Sequence, residues 1–266
     1  MADALLKMHA ITKSFPGVLA LDAVDLDVRR GEIHGLVGEN GAGKSTIIKV
    51  LAGVYRADGG SVAVDGATLV DVTPRAIHAA GVRFIHQELH LVQHFTVTES
   101  VFMGQEISTI SGLSRGDMRA RAEAFFRDVL GTEIPGNILI RDLGIAERKL
   151  VQIARALIDG AAKLVVFDEP TAPLSSGEVA KLFTAISKLK ERGITMIYVS
   201  HYLAEITDIC DRVTVLRNGQ NVQVFEEIHS DSADAMITAM VGREIDALFP
   251  SGSHKAAEPV LAIKGL

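Results

Sequence analysis

Short apolar runs alternate along this chain with stretches in which apolar residues recur every three or four positions. That mixture predicts an α/β domain. Leu5–Ile11 reads as a strand, and Gly31–Val37 as another that ends in a glycine-rich turn. Lys44–Leu51 has helical spacing, with Gly53 placed to cap its end. Gly81–His86 reads as a short strand. Lys163–Phe167 is an uninterrupted apolar run of the kind found in a buried parallel strand. A helix follows, opened by the capping box Ser175-x-x-Glu178 and ending near Gly193. Ile194–Val199 is again a buried strand. Asn218-Gly219 between Arg212–Arg217 and Gln220–Phe225 predicts a hairpin.

Residues 88–160 read differently, with few strand runs and a long helical pattern over Gly116–Leu130. They predict a mainly helical subdomain inserted between two halves of the α/β core. The expected main domain is residues 1–250. Ser251-Gly252-Ser253-His254-Lys255-Ala256-Ala257 has linker composition. Val260–Leu266 alternates like the opening strand, so residues 251–266 are expected to be a linker and the start of a second, truncated domain.

Composition narrows the function. Among 266 residues, 27 Lys+Arg face 33 Asp+Glu, a net charge of −6, which argues against a dedicated nucleic-acid binder. Hydrophobic residues at 48% and charged residues at 23% exclude wholesale disorder. Cys210 is the single cysteine and cannot form an internal disulfide, which fits a reducing compartment. It is expected to be a small buried hydrophobe. No segment approaches the ~20 continuous apolar residues of a membrane span. Asp3, Lys7 and His9 interrupt the start, so it lacks the apolar core of a signal peptide. The expectation is a soluble, cytoplasmic chain, free to dock on a membrane protein.

The chemistry is concentrated in two segments. Gly38-Glu39-Asn40-Gly41-Ala42-Gly43-Lys44-Ser45 fits the phosphate-loop pattern GxxxxGK[ST]. Its glycines allow a tight loop with inward backbone N–H groups, and the next helix turns its positive end to the same anion. Lys44 can reach the β- and γ-phosphates of ATP. The Ser45 hydroxyl suits Mg²⁺, and Thr46 adds a hydroxyl near the α-phosphate. The second segment, Leu164-Val165-Val166-Phe167-Asp168-Glu169-Pro170, is an apolar strand ending in two carboxylates. Asp168 would hold Mg²⁺ through its water shell, and Glu169 is the candidate base or water positioner.

These motifs, with Gln87 and His201, resemble the nucleotide-binding domain of ATP-binding cassette (ABC) proteins over about residues 4–250. The resemblance implies a P-loop NTPase fold: a RecA-like core, an antiparallel β subdomain and an inserted helical subdomain. It implies that Gln87, in Phe84-Ile85-His86-Gln87-Glu88, contacts Mg²⁺ and the attacking water and links the core to the helical subdomain. It implies that His201, in Tyr198-Val199-Ser200-His201, contacts the γ-phosphate, and that Phe15 stacks on adenine. Glu169, His201, Gln87 and Lys44 are thus the catalytic candidates. Phe15-Pro16-Gly17-Val18, His86-Gln87-Glu88-Leu89 and Met240-Val241-Gly242-Arg243 resemble the first half of tandem cassette ATPases that drive ribose- or galactose-type carbohydrate importers.

Two motifs depart from the family pattern. The signature, LSGGQ in most members, aligns with Leu143-Gly144-Ile145-Ala146-Glu147, so Gly144 replaces the serine and Ala146 a glycine. Ser175 stands where the D-loop aspartate is usual. In the dimers of this family each ATP lies between one domain's phosphate loop and the other's signature. This chain would therefore bring an intact loop and a weakened signature. The implied function is an ATPase powering carbohydrate import. Its partners would be a second nucleotide-binding domain in the same full-length chain, membrane permease subunits and, indirectly, a sugar-binding protein. It would sit peripherally on the inner face of the membrane through the permease. The alternative is a soluble cassette ATPase of DNA repair or translation, which would need a nucleic-acid-binding insertion or basic patch; neither is apparent.

Overall fold

The computed structural model describes residues 4–88, 90–110, 112–229 and 231–242. The chain opens with β1 (Ala4–Phe15), β2 (Val18–Arg29), β3 (Ile33–Val37) and α1 (Lys44–Leu51). Next come β4 (Gly59–Val64), β5 (Ala67–Thr68), α2 (Pro74–Ala79) and β6 (Val82–Ile85). A mostly helical stretch follows: α3 (Val97–Phe102), the small hairpin β7 (Ser108–Thr109) and β8 (Gly112–Leu113), α4 (Arg115–Phe125) and α5 (Ile145–Leu157). The rest is β9 (Leu164–Asp168), α6 (Ser176–Glu191), β10 (Thr195–Val199), α7 (Leu203–Ile209), β11 (Arg212–Arg217), β12 (Gln220–Phe225) and α8 (Ser232–Val241).

The apolar runs form a six-stranded sheet in the order β12-β11-β3-β10-β9-β6, parallel except for β12. Such a sheet is covered on both faces, which is why its strands are apolar at nearly every position. Side chains go alternately to two cores. Val165 and Phe167 of β9 join Met196 and Tyr198 of β10 in the core under α3–α8. Leu164, Val166, Ile197 and Val199 point the other way, toward α1 and a second, antiparallel sheet of order β2-β1-β4-β5.

Most expected elements appear within a residue or two, and the Arg212–Arg217/Gln220–Phe225 hairpin lies where its turn places it. Three differences have local causes. β1 runs on to Phe15 because Ala10, at φ 50°, introduces a bulge and a register shift that breaks the simple alternation. β2 and β4, which sequence reasoning did not name as strands, complete the antiparallel sheet on either side of β1. The helix expected over Gly116–Leu130 changes from α to a π turn at Phe126–Leu130 and stops at Gly131, φ 69°. Cys210 is buried, and burial raises its thiol pKa far above the ordinary range. The expectations for residues 243–266 lie outside the described residues.

The parallel register fixes the geography of the site. Val199 lies opposite both Leu36 and Asp168, and Ile85 opposite Phe167. The carboxyl ends of β3, β10, β9 and β6 therefore form one edge. Ligands of open α/β sheets bind at this edge.

Candidate nucleotide site

Four chain segments leave that edge side by side: the glycine loop after β3, Ser200-His201 after β10, Glu169 after β9, and His86-Gln87 after β6. Adjacent strands bring together residues more than 100 positions apart.

The loop is built against its neighbours. A Cβ on Gly38 would lie 2.4 Å from the Leu216 carbonyl oxygen, and one on Gly43 2.9 Å from Leu21 and 3.0 Å from the Ala20 carbonyl oxygen. Gly43 also takes φ 108°, where L side chains are strained. The loop thus fits between β11 and β2 only without side chains at these positions. The Asn218-Gly219 turn braces it: Gly219 donates its N–H to the Ala42 carbonyl at 3.1 Å and accepts from Asp22 N–H at 2.8 Å. No side chain caps α1 at Gly43, and its first turn carries no acidic residue. Its leading N–H groups are the orphan donors of a helix start, suited to an anion.

Lys44 is buried, its ammonium donating to the carbonyls of Gly38 at 2.6 Å and Glu39 at 3.1 Å. Burial lowers its pKa, against the opposing pull of Glu169 and Asp168. Ser45 is exposed and Thr46 half-buried at the same helix start. Asp168 ends β9 with its pKa raised by burial and by the charge of Glu169 beside it, while His86, Lys49 and Lys44 oppose the rise. A cation between Ser45 and Asp168 would relieve that repulsion, and hydroxyl plus carboxylate is the oxygen donor set Mg²⁺ prefers. Among the described residues no three His, Cys, Asp or Glu side chains converge on a metal.

Glu169 stands at φ 44°, rare for a residue with a long side chain. Its N–H donates to the Val199 carbonyl at 2.9 Å, and its Oε1 lies 3.2 Å from Nδ1 of His201. His201 is exposed, its ring 4.0 Å from that of Tyr202. Its chain neighbours are pinned by Glu205, a residue that sequence reasoning passed over. The Glu205 carboxylate accepts from the Tyr198 hydroxyl at 2.9 Å and the Ser200 hydroxyl at 2.8 Å, and Ser200 Oγ accepts from Tyr202 N–H at 3.0 Å.

Gln87 is exposed on the segment after β6. Phe15, at the end of β1, presents a partly exposed ring, set edge-to-face on Tyr55 at 5.2 Å. Lys13 lies 5.5 Å from the Phe15 ring centroid, and Lys49 of α1 5.5 Å from that of Tyr55. Tyr55, also unforeseen, thus links the Phe15 platform to the helix that starts at the phosphate loop. Leu143–Glu147 is not part of this edge; it forms the start of α5. There Gly144 donates its N–H to Glu147 Oε2 at 2.8 Å.

The arrangement matches known proteins. The ABC transporter family model matches residues 21–172. The ribose import ATP-binding protein RbsA of Cereibacter sphaeroides is 46% identical over 266 residues, all of this chain and 53% of that protein. The arabinose import ATP-binding protein AraG 2 of Burkholderia cenocepacia is 41% identical over 263 residues, 98% of this chain and 50% of that protein. The chain thus spans about half the length of these curated relatives. The crystal structure of the ADP conformation of MJ1267, an ATP-binding cassette of an ABC transporter, superposes with a TM-score of 0.76 at 26% identity, covering 90% of this chain and 99% of that one. A nucleotide-free cassette from an ABC transporter gives a TM-score of 0.74 at 25% identity, covering 90% and 96%. The chain belongs to the ABC transporter family and has the P-loop NTPase fold of its ATP-binding cassettes.

Proposed function

We propose that this chain binds and hydrolyses MgATP to power carbohydrate import through a membrane permease. The observation that carries the proposal is the shared strand edge. It sets Lys44, Asp168, Glu169 and His201 beside one open helix start, in a chain 46% identical to a ribose import ATP-binding protein.

The phosphates enter the loop between Gly38 and Thr46, where backbone N–H groups receive them. Lys44 exchanges its two carbonyl partners for phosphate oxygens. Adenine stacks on the exposed face of Phe15. Ser45 and Asp168, with Gln87 nearby, would hold Mg²⁺, which would supply charge neutralisation at the phosphates. Glu169 orients the attacking water and takes up its proton at a carboxylate oxygen. His201, kept beside Glu169 by the Glu205 clamp, donates a hydrogen bond to the γ-phosphate.

The partner cassette, in the same full-length protein, supplies a signature for this loop, while the Gly144–Ala146 signature faces the partner's own loop. Motion passes to the permease through the groove beside Gln87, a cleft of about 740 Å³ lined by Phe84, His86, His90, Gln105, Gln152 and Arg155. No helix among the described residues is long and apolar enough to cross a membrane. The chain would therefore reach the inner membrane face through that permease, with sugar choice left to the permease and its binding protein.

The test is uptake of radiolabelled ribose and arabinose in a strain lacking the gene. Restoration of uptake by the wild-type gene but not by E169Q is expected. Undiminished uptake of both sugars, and of a wider panel, in the deletion strain would overturn the import reading.

A further inference from the structure

Lys149 is a lysine only 1% exposed, on the inward face of α5. Its ammonium donates to two consecutive carbonyls, those of His86 and Gln87, both at 2.8 Å. In an extended strand successive carbonyls point to opposite sides. Two of them meeting one nitrogen marks the turn by which the chain leaves β6 and presents Gln87. Three residues further along α5, and so on the same face, Gln152 Nε2 donates to the Glu88 carbonyl at 2.9 Å. One helix therefore holds residues 86, 87 and 88 by their backbones, while the exposed Gln87 side chain is left for other partners. Burial brings the Lys149 pKa down to about 8, with Asp168 opposing the shift. This buried cation thus lies within electrostatic reach of the carboxylate assigned to the metal.

We propose that Lys149 is a positioning residue for the ATP site: it fixes the backbone turn from which Gln87 reaches the metal and the attacking water, and it makes that turn follow α5. The proposal rests on the reading of Gln87 as part of the ATP site. A neutral, non-donating side chain at 149 would free two carbonyls and let the turn relax, moving Gln87 without touching the phosphate loop. Small displacements of this kind slow a reaction while leaving ground-state binding in place.

The experiment is a double-mutant cycle in the complete protein assembled with its permease, using Q87A, K149M and the pair. Steady-state MgATP turnover and MgATP affinity by calorimetry are both measured. K149M is expected to lower turnover ~10-fold or more while its Kd stays within ~3-fold of wild type. The pair should be no slower than the slower single variant, because both act through Gln87. K149Q, which retains an N–H donor, should recover part of the loss; it replaces K149M in the cycle if that chain fails to fold. Near-wild-type turnover in K149M, or losses that multiply in the pair, overturn the positioning role.

Hydrogen exchange over residues 85–90 reads the clamp independently of activity. Faster exchange in the Lys149 variant is expected, and unchanged exchange overturns the clamp. Wild-type turnover in Q87A alone would instead remove Gln87 from the ATP site, a separate failure that this measurement keeps distinct.

Discussion

Both α1 and α5 begin after a glycine, Gly43 and Gly144, and the two starts have opposite fates. At α1 the first turn has no acidic residue and no side chain caps it. At α5 Glu147 folds back onto Gly144 N–H at 2.8 Å, and the Glu178 carboxylate of α6 lies near enough to Ala146 N–H for that group to help lower its pKa. The same structural device, the donor-rich start of a helix, is open to an anion in one place and closed by the protein's own carboxylates in the other. The glycine backbones differ as well: Gly43 is left-handed at φ 108°, whereas Gly144 is extended at φ −66° and ψ 165°. A phosphate approaching α5 would meet two negative charges where α1 offers it free donors. The departures at Gly144 and Ala146 thus remove a hydroxyl and a close approach from a helix start whose Gly144 N–H is already taken by Glu147.

The strongest way to break this contrast lies at the open end. Glu169→Gln keeps shape and removes the proposed base, so turnover of the complete protein should fall by at least ~10² while MgATP still binds. Near-wild-type hydrolysis would show that Glu169 is not the base. Next, Lys44→Ala should weaken MgATP binding by roughly 10- to 100-fold, the loss of a charged hydrogen-bonding partner. Unchanged affinity in a calorimetric titration would remove the anion site from α1.

At the closed end the changes run the other way and are smaller. In a pair made of two copies of this chain, each ATP would face an α5 start. Restoring G144S together with A146G should raise turnover by about 10-fold, part of the 10²–10³ that one well-placed donor is worth. No gain would mean that the α5 start does not limit the rate. The smallest effect concerns the closure itself. Ser175's hydroxyl, then the N–H groups of Ser175 and Ala146, hold the Glu178 carboxyl below its ordinary pKa. A depressed carboxylate contributes stability above its unfolded pKa and loses it as pH falls through the folded one. E178Q should therefore melt slightly below wild type at pH 7, and the gap should close below pH ~4. A gap that persists in acid would show that charge at Glu178 is not what closes α5.

What could be read in advance depended on distance along the chain. The glycine loop and the acid pair Asp168-Glu169 are contiguous, so their chemistry is written locally, as is the turn at Asn218-Gly219. That Gly219 braces Ala42 is not written there, because their contact depends on β11 lying beside β3. Glu205, Tyr55 and Lys149 were missed for the same reason. An isolated glutamate, tyrosine or lysine carries no pattern, and each gains meaning only from partners brought in by the fold. Gln87 and His201 were identifiable through family resemblance alone; the strand order then explained why both stand at one edge. β2 was legible locally, since Val24, Leu26 and Val28 alternate with Asp25 and Asp27, and sequence reasoning passed over it.

The backbone of Glu169 has a consequence for how this protein can change over time. At φ 44° a long side chain is costly, whereas asparagine or glycine adopts that conformation readily. Replacement by either should leave the chain as stable as it is now or more so, with the proposed water-activating carboxylate gone. Selection for robustness alone would therefore push this position away from glutamate, and only selection on turnover holds it there. A copy relieved of hydrolytic duty should lose this residue early, and without penalty to its fold.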